Sequence, residues 1–168
     1  MQNREFEIES MTPAHWPDVA RIYQEGIDTG MATFENSVPS WEDWDRNHLK
    51  SCRLVSKMGP TVLGWAALSP VSSRCVYGGV AEVSVYIGSD HRGKGVGISL
   101  LQKLILESEK EGYWTLQSGI FPENTASINM HEKAGFRKIG YRERIAKKNG
   151  QWKDNVLMER RSGIVGLD

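Results

Sequence analysis

Apolar and charged positions alternate at Phe6-Glu7-Ile8-Glu9, the pattern of a half-buried strand. Thr12-Pro13 then supplies an N-cap and a first-turn proline, and Trp16, Val19, Ala20, Tyr23 and Ile27 recur on one helical face until Gly30. Residues 31–39 predict a loop. Ser40 with Asp43 three positions later marks a second helix start, running to about Lys50. Leu54-Val55 and Val62 to Leu68, on either side of Met58-Gly59-Pro60, predict a hairpin. Val80 to Ile87 reads as a strand, and Val96 to Ser108 as a helix with Val96, Leu100, Leu101, Leu104 and Ile105 on one side. A strand over Thr115 to Phe121 and a helix over Thr125 to Ala134 follow. Phe136 to Ala146 and Trp152 to Met158 close the chain as a hairpin around Asn149-Gly150. The order β-α-α-β-β-β-α-β-α-β-β predicts a mixed α/β fold, a sheet with helices packed on it. No internal repeat, low-complexity tract or linker interrupts it, so residues 1–168 are expected to form one domain with a loose C-terminus.

Charge narrows the partners. Lys and Arg number 21 and Asp and Glu also 21, so no global field is available to hold nucleic acid or an anionic membrane. No apolar run approaches the roughly 20 residues of a membrane helix. Met1 to Ser10 is charged and lacks the apolar core of a secretory signal, so a soluble, cytoplasmic chain is expected. Cys52 and Cys75 have neither metal-ligand nor redox-motif spacing and read as reduced, semi-buried thiols; no metal is expected.

Candidate chemistry begins after the strand at Val80 to Ile87. Its Val83, Val85 and Ile87 alternate with Glu82, Ser84 and Tyr86, and Arg92-Gly93-Lys94-Gly95-Val96-Gly97 then opens a helix. Three glycines at alternate positions remove side chains where a ligand must touch backbone. The free amides and dipole of the helix start attract an anion, to which Arg92 and Lys94 add charge, so a diphosphate suits the turn. A P-loop fails because Gly95 follows Lys94, and a dinucleotide fingerprint fails because Leu100 stands at the third glycine's place. A turn with accidental glycines is the bland alternative. Further on, Asn124 is a good N-cap with Ser127 three residues later, which by itself describes a capped surface helix. His131 shares a helical face with Ile128 and Gly135 and points inward, where a satisfied core histidine competes with a functional one. Glu82 lies on the polar face of its strand as either an ion-paired carboxylate or a base.

Arg-x-x-Gly-x-Gly after a strand, together with Asn-x-x-Ser and the following Lys133-x-Gly135-Phe136, resembles the GNAT superfamily of N-acetyltransferases. The element order resembles that fold from about residue 5 to 160. The resemblance implies a mostly antiparallel twisted sheet flanked by helices, with acetyl-CoA in a groove between splayed strands. It implies that Arg92 to Gly97 (Arg92, Gly93, Lys94, Gly95, Val96 and Gly97) hold the pyrophosphate. Ser84, Val85 and Tyr86 would meet the pantetheine arm, and Asn124 and Ser127 would lie against the coenzyme.

Further strings, Thr29 to Glu35, Gly64-Trp65-Ala66, Arg74-x-x-Tyr77, Ala81 to Tyr86 and Gly150-x-Trp152-x-Asp154, resemble phosphinothricin and methionine sulfoximine acetyltransferases. That subfamily implies Glu82 as base, His131 as the group that protonates the departing thiolate, and a small glutamate-like amine acceptor. Phe34, Arg74 and Tyr77 become the expected acceptor contacts, Arg74 supplying a cation for a carboxylate. Cys75-Val76 departs from the Pro-Ala commonly seen there. Trp152 is expected to pack. A homodimer is expected from the resemblance and from tryptophan-rich surface. Acetylation of a peptide or other amine, and a non-catalytic acyl-CoA-binding domain, are the alternatives.

Overall fold

The strand over Thr61–Pro70 is buried on both faces, and the rest of the chain is arranged around it. In the computed structural model, which describes residues 5–168, the strands are β1 (Glu7–Ser10), β2 (Leu54–Met58), β3 (Thr61–Pro70), β4 (Val80–Ile87), β5 (Thr115–Ile120), β6 (Arg137–Lys148) and β7 (Gln151–Arg161). The helices are α1 (Trp16–Asp28), α2 (Trp41–Asn47), α3 (Val96–Lys110) and α4 (Thr125–Lys133). The seven strands form one sheet in the order β1-β2-β3-β4-β5-β7-β6. On one face Leu68, Leu100, Leu101, Leu104 and Met158 form the core with α3 and α4. On the other, Val19, Ile22, Trp44 and Trp65 form a second core with α1 and α2. Because β3 feeds both, it reads as a continuous apolar run rather than an alternation. Gly64 interrupts it for lack of space: a Cβ there would lie 2.8 Å from the carbonyl of Tyr86 and 2.7 Å from Ile87 Cδ1.

Every strand pair is antiparallel except β4 and β5. Those two pair over only three positions, Val80 with Thr115, Ala81 with Leu116 and Glu82 with Gln117. β4 then runs on to Ile87 and β5 to Ile120 without pairing with one another, so the sheet opens into a V.

Two helix boundaries differ from expectation, for identifiable reasons. Thr12 caps only a short 3₁₀ turn, Pro13–His15, and α1 proper starts at Trp16. Pro17 has no N–H to donate to the Pro13 carbonyl, so an α-helical ladder cannot run through from residue 13. α2 ends at Asn47 because His48 is extended and its Nδ1 donates to the Trp44 carbonyl at 2.7 Å. Arg53 then donates to the carbonyls of Asp45, His48 and Leu49. Side chains thus take over acceptors that another helical turn would have used. Ser40 does cap α2, its hydroxyl accepting from Asp43 N at 3.2 Å. The closing hairpin is longer than its apolar pattern, and Asn149 and Gly150 both adopt positive φ, 49° and 79°, as a type I′ turn requires.

The expected tryptophan-rich surface is not found. Trp44 and Trp65 are fully buried, and Trp16, Trp41 and Trp44 cluster at ring separations of 5.6–5.9 Å. Trp152 reverses its expectation too: it does not pack but is 56% exposed, with Lys147 Nζ 4.8 Å from its ring centroid. Both thiols are free, Cys52 buried and Cys75 exposed. Among the described residues no helix is long and apolar enough to cross a membrane. The N-terminal stretch lies outside the described residues as far as Arg4.

Candidate active site

The splay of β4 from β5 contains a cavity of about 580 Å³. Five consecutive β4 residues line it, Glu82, Val83, Ser84, Val85 and Tyr86. Alternation would put only every second side chain on one face. All five border the gap because the strand's edge faces it, leaving backbone amides and carbonyls on that edge without a strand partner. The opposite wall is Gln117 to Phe121 from β5 and the residues after it. Asn124, Ser127 and His131 line it from α4, and Arg142, Asn155 and Leu157 from the closing hairpin.

His131 is buried, 3% exposed, and edge-on to Phe136 at 5.0 Å. Its Nδ1 lies 2.7 Å from the Ser127 carbonyl oxygen. A carbonyl can only accept, so Nδ1 carries the proton and donates. Burial pushes the imidazole below its ordinary pKa, opposed in part by that hydrogen bond. In the neutral ring Nε2 is then a bare acceptor, and it is buried with no partner. A buried unpartnered polar atom is costly to keep, which favours a role for it over a satisfied core histidine. Glu82 is exposed to the cavity and accepts a hydrogen bond from Gln117 Nε2 at 3.3 Å.

Tyr86 is placed by a stack of rings beneath the cavity. It lies 4.8 Å from Tyr23 and 4.9 Å from Trp65, nearly parallel to both. Burial, chiefly, raises its phenol far above the ordinary value, so the hydroxyl stays protonated. Gly26 makes room for this ring: a Cβ there would be 2.6 Å from Tyr86 Cδ1. The connection from α1 to α2 covers the cavity with Ala32 to Glu35. Three contacts hold it down. Asn124 Nδ2 donates to Met31 O at 3.4 Å, Phe34 meets Phe121 edge-on at 4.7 Å, and buried Lys148 donates to Glu35 O at 2.9 Å. Asn124 also caps α4, its Oδ1 accepting from Ser127 N at 3.2 Å, so one amide ties the helix start to the cover.

The glycine turn has the backbone its sequence demands. Gly93 and Gly95 have φ of 74° and 82°, with open space where a Cβ would stand. Gly95 is the N-cap of α3 and offers no side chain to the first-turn amides, which leaves them as donors for a ligand. Gly97 packs against Met130, whose sulfur would be 2.8 Å from a Cβ. Arg92 Nε and Lys94 Nζ fold back to the carbonyls of Ile87 and Asp90, keeping both charges at the turn. The turn stands beyond the end of β4 and does not line the main cavity. Lys94, Gly95 and Val96 border a second one of about 460 Å³, beside Phe6, Met58 and Leu63. Replacing Gly95 with alanine is expected to cost about 1–2 kcal/mol through the left-handed backbone. In a chain of this size that lowers the melting temperature by roughly 2–8 °C in a thermal unfolding scan.

Half of the sequence-derived site therefore comes together: Phe34, Glu82, Ser84, Val85, Tyr86, Asn124, Ser127 and His131 share one cavity, while Arg92 to Gly97 stand beyond it. Arg74 and Tyr77 do not line it. They stack on each other in the exposed connection between β3 and β4, the guanidinium carbon 5.6 Å from the ring centroid. Gln117, Arg142 and Asn155 line the cavity without having been singled out by the sequence, whereas Glu35 closes the Thr29 to Glu35 string and Tyr23 belongs to the apolar face of α1. Gln117 had a signal, the polar alternation of β5 opposite Glu82; Arg142 and Asn155 had none in local pattern.

A model of the acetyltransferase (GNAT) family matches residues 16–136. An L-methionine sulfoximine/L-methionine sulfone acetyltransferase of Pseudomonas aeruginosa is 29% identical over 153 residues, 87% of this chain and 88% of the relative. A phosphinothricin N-acetyltransferase of Alcaligenes faecalis is 33% identical over 150 residues, 86% of this chain and 76% of the relative. Among solved structures, a GNAT superfamily phosphinothricin acetyltransferase from Sinorhizobium meliloti in complex with acetyl-CoA superposes with a TM-score of 0.87. It is 26% identical, the match covering 98% of this chain and 92% of that one.

Proposed function

Because the chain belongs to the GNAT acetyltransferase family, we propose that it transfers the acetyl group of acetyl-CoA to the α-amine of a small amino acid analogue. The acceptor class is that of phosphinothricin, methionine sulfoximine and methionine sulfone, which the two relatives' names specify for those proteins. The observation that carries this reading is the cavity in the β4/β5 splay, lined by the carboxylate of Glu82 and by His131 with its unpartnered Nε2. Neither free cysteine lines it, in keeping with direct transfer rather than an enzyme thioester.

Acetyl-CoA supplies the activated acyl group. The unpaired edge of β4 at Ser84, Val85 and Tyr86 receives its pantetheine arm, with Asn124 and Ser127 opposite. The amides from Arg92 to Gly97 take the pyrophosphate, where Gly93 and Gly95 leave the backbone open to approach. The amide of Val83 steadies the acyl oxygen as it gains charge.

The proton account follows from the two side chains. An acceptor ammonium must lose one proton to become a nucleophile and a second as the amide forms, while the departing sulfur gains one. Glu82 takes the first proton, directly or through water. His131 Nε2, which rests as an acceptor, takes the second and returns it to sulfur. The histidine thus accepts before it donates, which modifies the role of pure acid implied by the resemblance.

A free-thiol release assay with phosphinothricin, methionine sulfoximine and methionine sulfone tests the proposal. The expected result is thiol release dependent on one or more of these acceptors. Binding of acetyl-CoA with no release on any of them removes the acceptor assignment.

A further inference from the structure

The geometry points to Arg142, not Arg74, as the residue that binds the carboxylate of the amino acid acceptor. The inference rests on the acceptor class proposed above. Arg142 is the sole Lys or Arg on the main cavity's wall among the described residues, and it makes no ion pair with them. The same wall carries Glu35 and Glu82. One permanent cation and two carboxylates around one cavity match a zwitterion, whose ammonium and carboxylate need opposite partners.

The local fold explains how an exposed strand residue comes to border the cavity. Arg142 pairs with Asn155 across the β6/β7 hairpin, so the two side chains share a face, and Leu157 continues that face into the cavity. β5 stops at Ile120, opposite Val156, one position short of Asn155. The pair therefore stands where the sheet has already opened. Immediately after Arg142 the register shifts, with Arg144 at φ 48°, and pairing resumes at Ala146. Asp154 holds this bulge from the facing strand, accepting from Arg144 N at 2.8 Å and from the Tyr141 hydroxyl. Bulges bend a strand and re-aim its side chains beside active sites. Asp154 of the Gly150-x-Trp152-x-Asp154 string thereby acquires a task, as a positioning residue for Arg142.

Asn155 supplies a second polar contact. Its side-chain amide folds over Gly119, where a Cβ would lie 2.9 Å from Asn155 Oδ1 and 3.0 Å from its Nδ2. A guanidinium and an amide donor side by side suit the two oxygens of a carboxylate. Arg74, by contrast, is spent on the ring of Tyr77 outside the cavity.

The test compares methionine sulfone with the same sulfone amine lacking its carboxyl group, in wild type, Arg142→Ala, Arg142→Lys and Asp154→Asn. In Arg142→Ala, KM for methionine sulfone is expected to rise about 10- to 100-fold, the loss of one charge-assisted contact. KM for acetyl-CoA and the rate with the decarboxylated amine stay at wild-type values. Arg142→Lys falls between the two, and Asp154→Asn raises the same KM with little change in kcat. Equal losses on both acceptors, an unchanged KM for the sulfone, or the expected pattern appearing in Arg74→Ala instead each overturn the inference while the acceptor class stands. A wild-type enzyme inactive on every α-amino acid tried takes down both.

Discussion

His131→Ala is expected to lower kcat by about 10²–10⁴-fold, the usual contribution of one positioned acid-base group, with KM for acetyl-CoA little changed. His131→Gln separates chemistry from packing. Its amide can still donate to the Ser127 carbonyl and fill the space beside Phe136, yet it cannot relay a proton. Equal losses in the two variants identify proton transfer; full activity in His131→Gln removes His131 from the mechanism. The pH profile carries a sign. Burial lowers the folded pKa, so the active, neutral ring predominates at pH 7, and kcat/KM falls only as pH drops through that lowered value. Stability moves in the same direction. The unfolded histidine takes up its proton near roughly pH 6.5 and the folded one only below that, so the unfolded state binds more protons in between. This contribution is complete above about pH 6.5 and is lost as pH falls through the folded value. His48, half-buried and also lowered by desolvation, acts alike, so His131→Ala retains part of the acid sensitivity in chemical denaturation at successive pH values.

Trp65→Ala is expected to destabilise the fold by about 3–5 kcal/mol, a large share of the roughly 5–15 kcal/mol typical of a domain. Trp65 is fully buried, stacks on Tyr86 and Tyr23, and meets the Trp44 ring edge-on at 5.6 Å. Its removal leaves a cavity under the residue that orients the inner end of the site. Urea titration reads the loss as a lower midpoint at similar m. Trp65→Phe is expected to cost much less. The indole Nε1 is buried without a partner, so phenylalanine removes an unpaid donor while keeping most of the stacking area. If Trp65→Ala unfolds at the wild-type midpoint, the second core does not depend on this ring.

Local pattern carried the element order, the I′ turn at Asn149-Gly150, the cap at Asn124 and the glycine turn. Each is a short-range constraint: an amide to be capped, a φ only glycine tolerates, an apolar period that one face must bury. The inward direction of His131 was also legible, since Ile128, His131 and Gly135 recur at helical spacing. What its nitrogens do was not, because the Ser127 carbonyl that fixes the proton and the burial that lowers the pKa arise only when α4 docks on the sheet. The two misplaced helix ends, at Pro17 and His48, lay within reach of the sequence through the missing proline donor and a ring able to take a carbonyl.

The acceptor side divides most sharply. Sequence by itself determined the strand, the glycine turn and the helix that the turn opens, and it placed Glu82 on a polar strand face. It offered Arg74 as the cation because a short string supports resemblance without reporting distance. Only the tertiary structure shows that Arg142, and not Arg74, stands on the cavity wall. Arg142 reaches the cavity through three long-range circumstances: the register that pairs it with Asn155, the bulge held by Asp154, and the end of β5 that leaves the sheet open there. None is a property of the residues around Arg142 alone, because a strand's neighbours across a sheet are chosen by the packing of the whole chain.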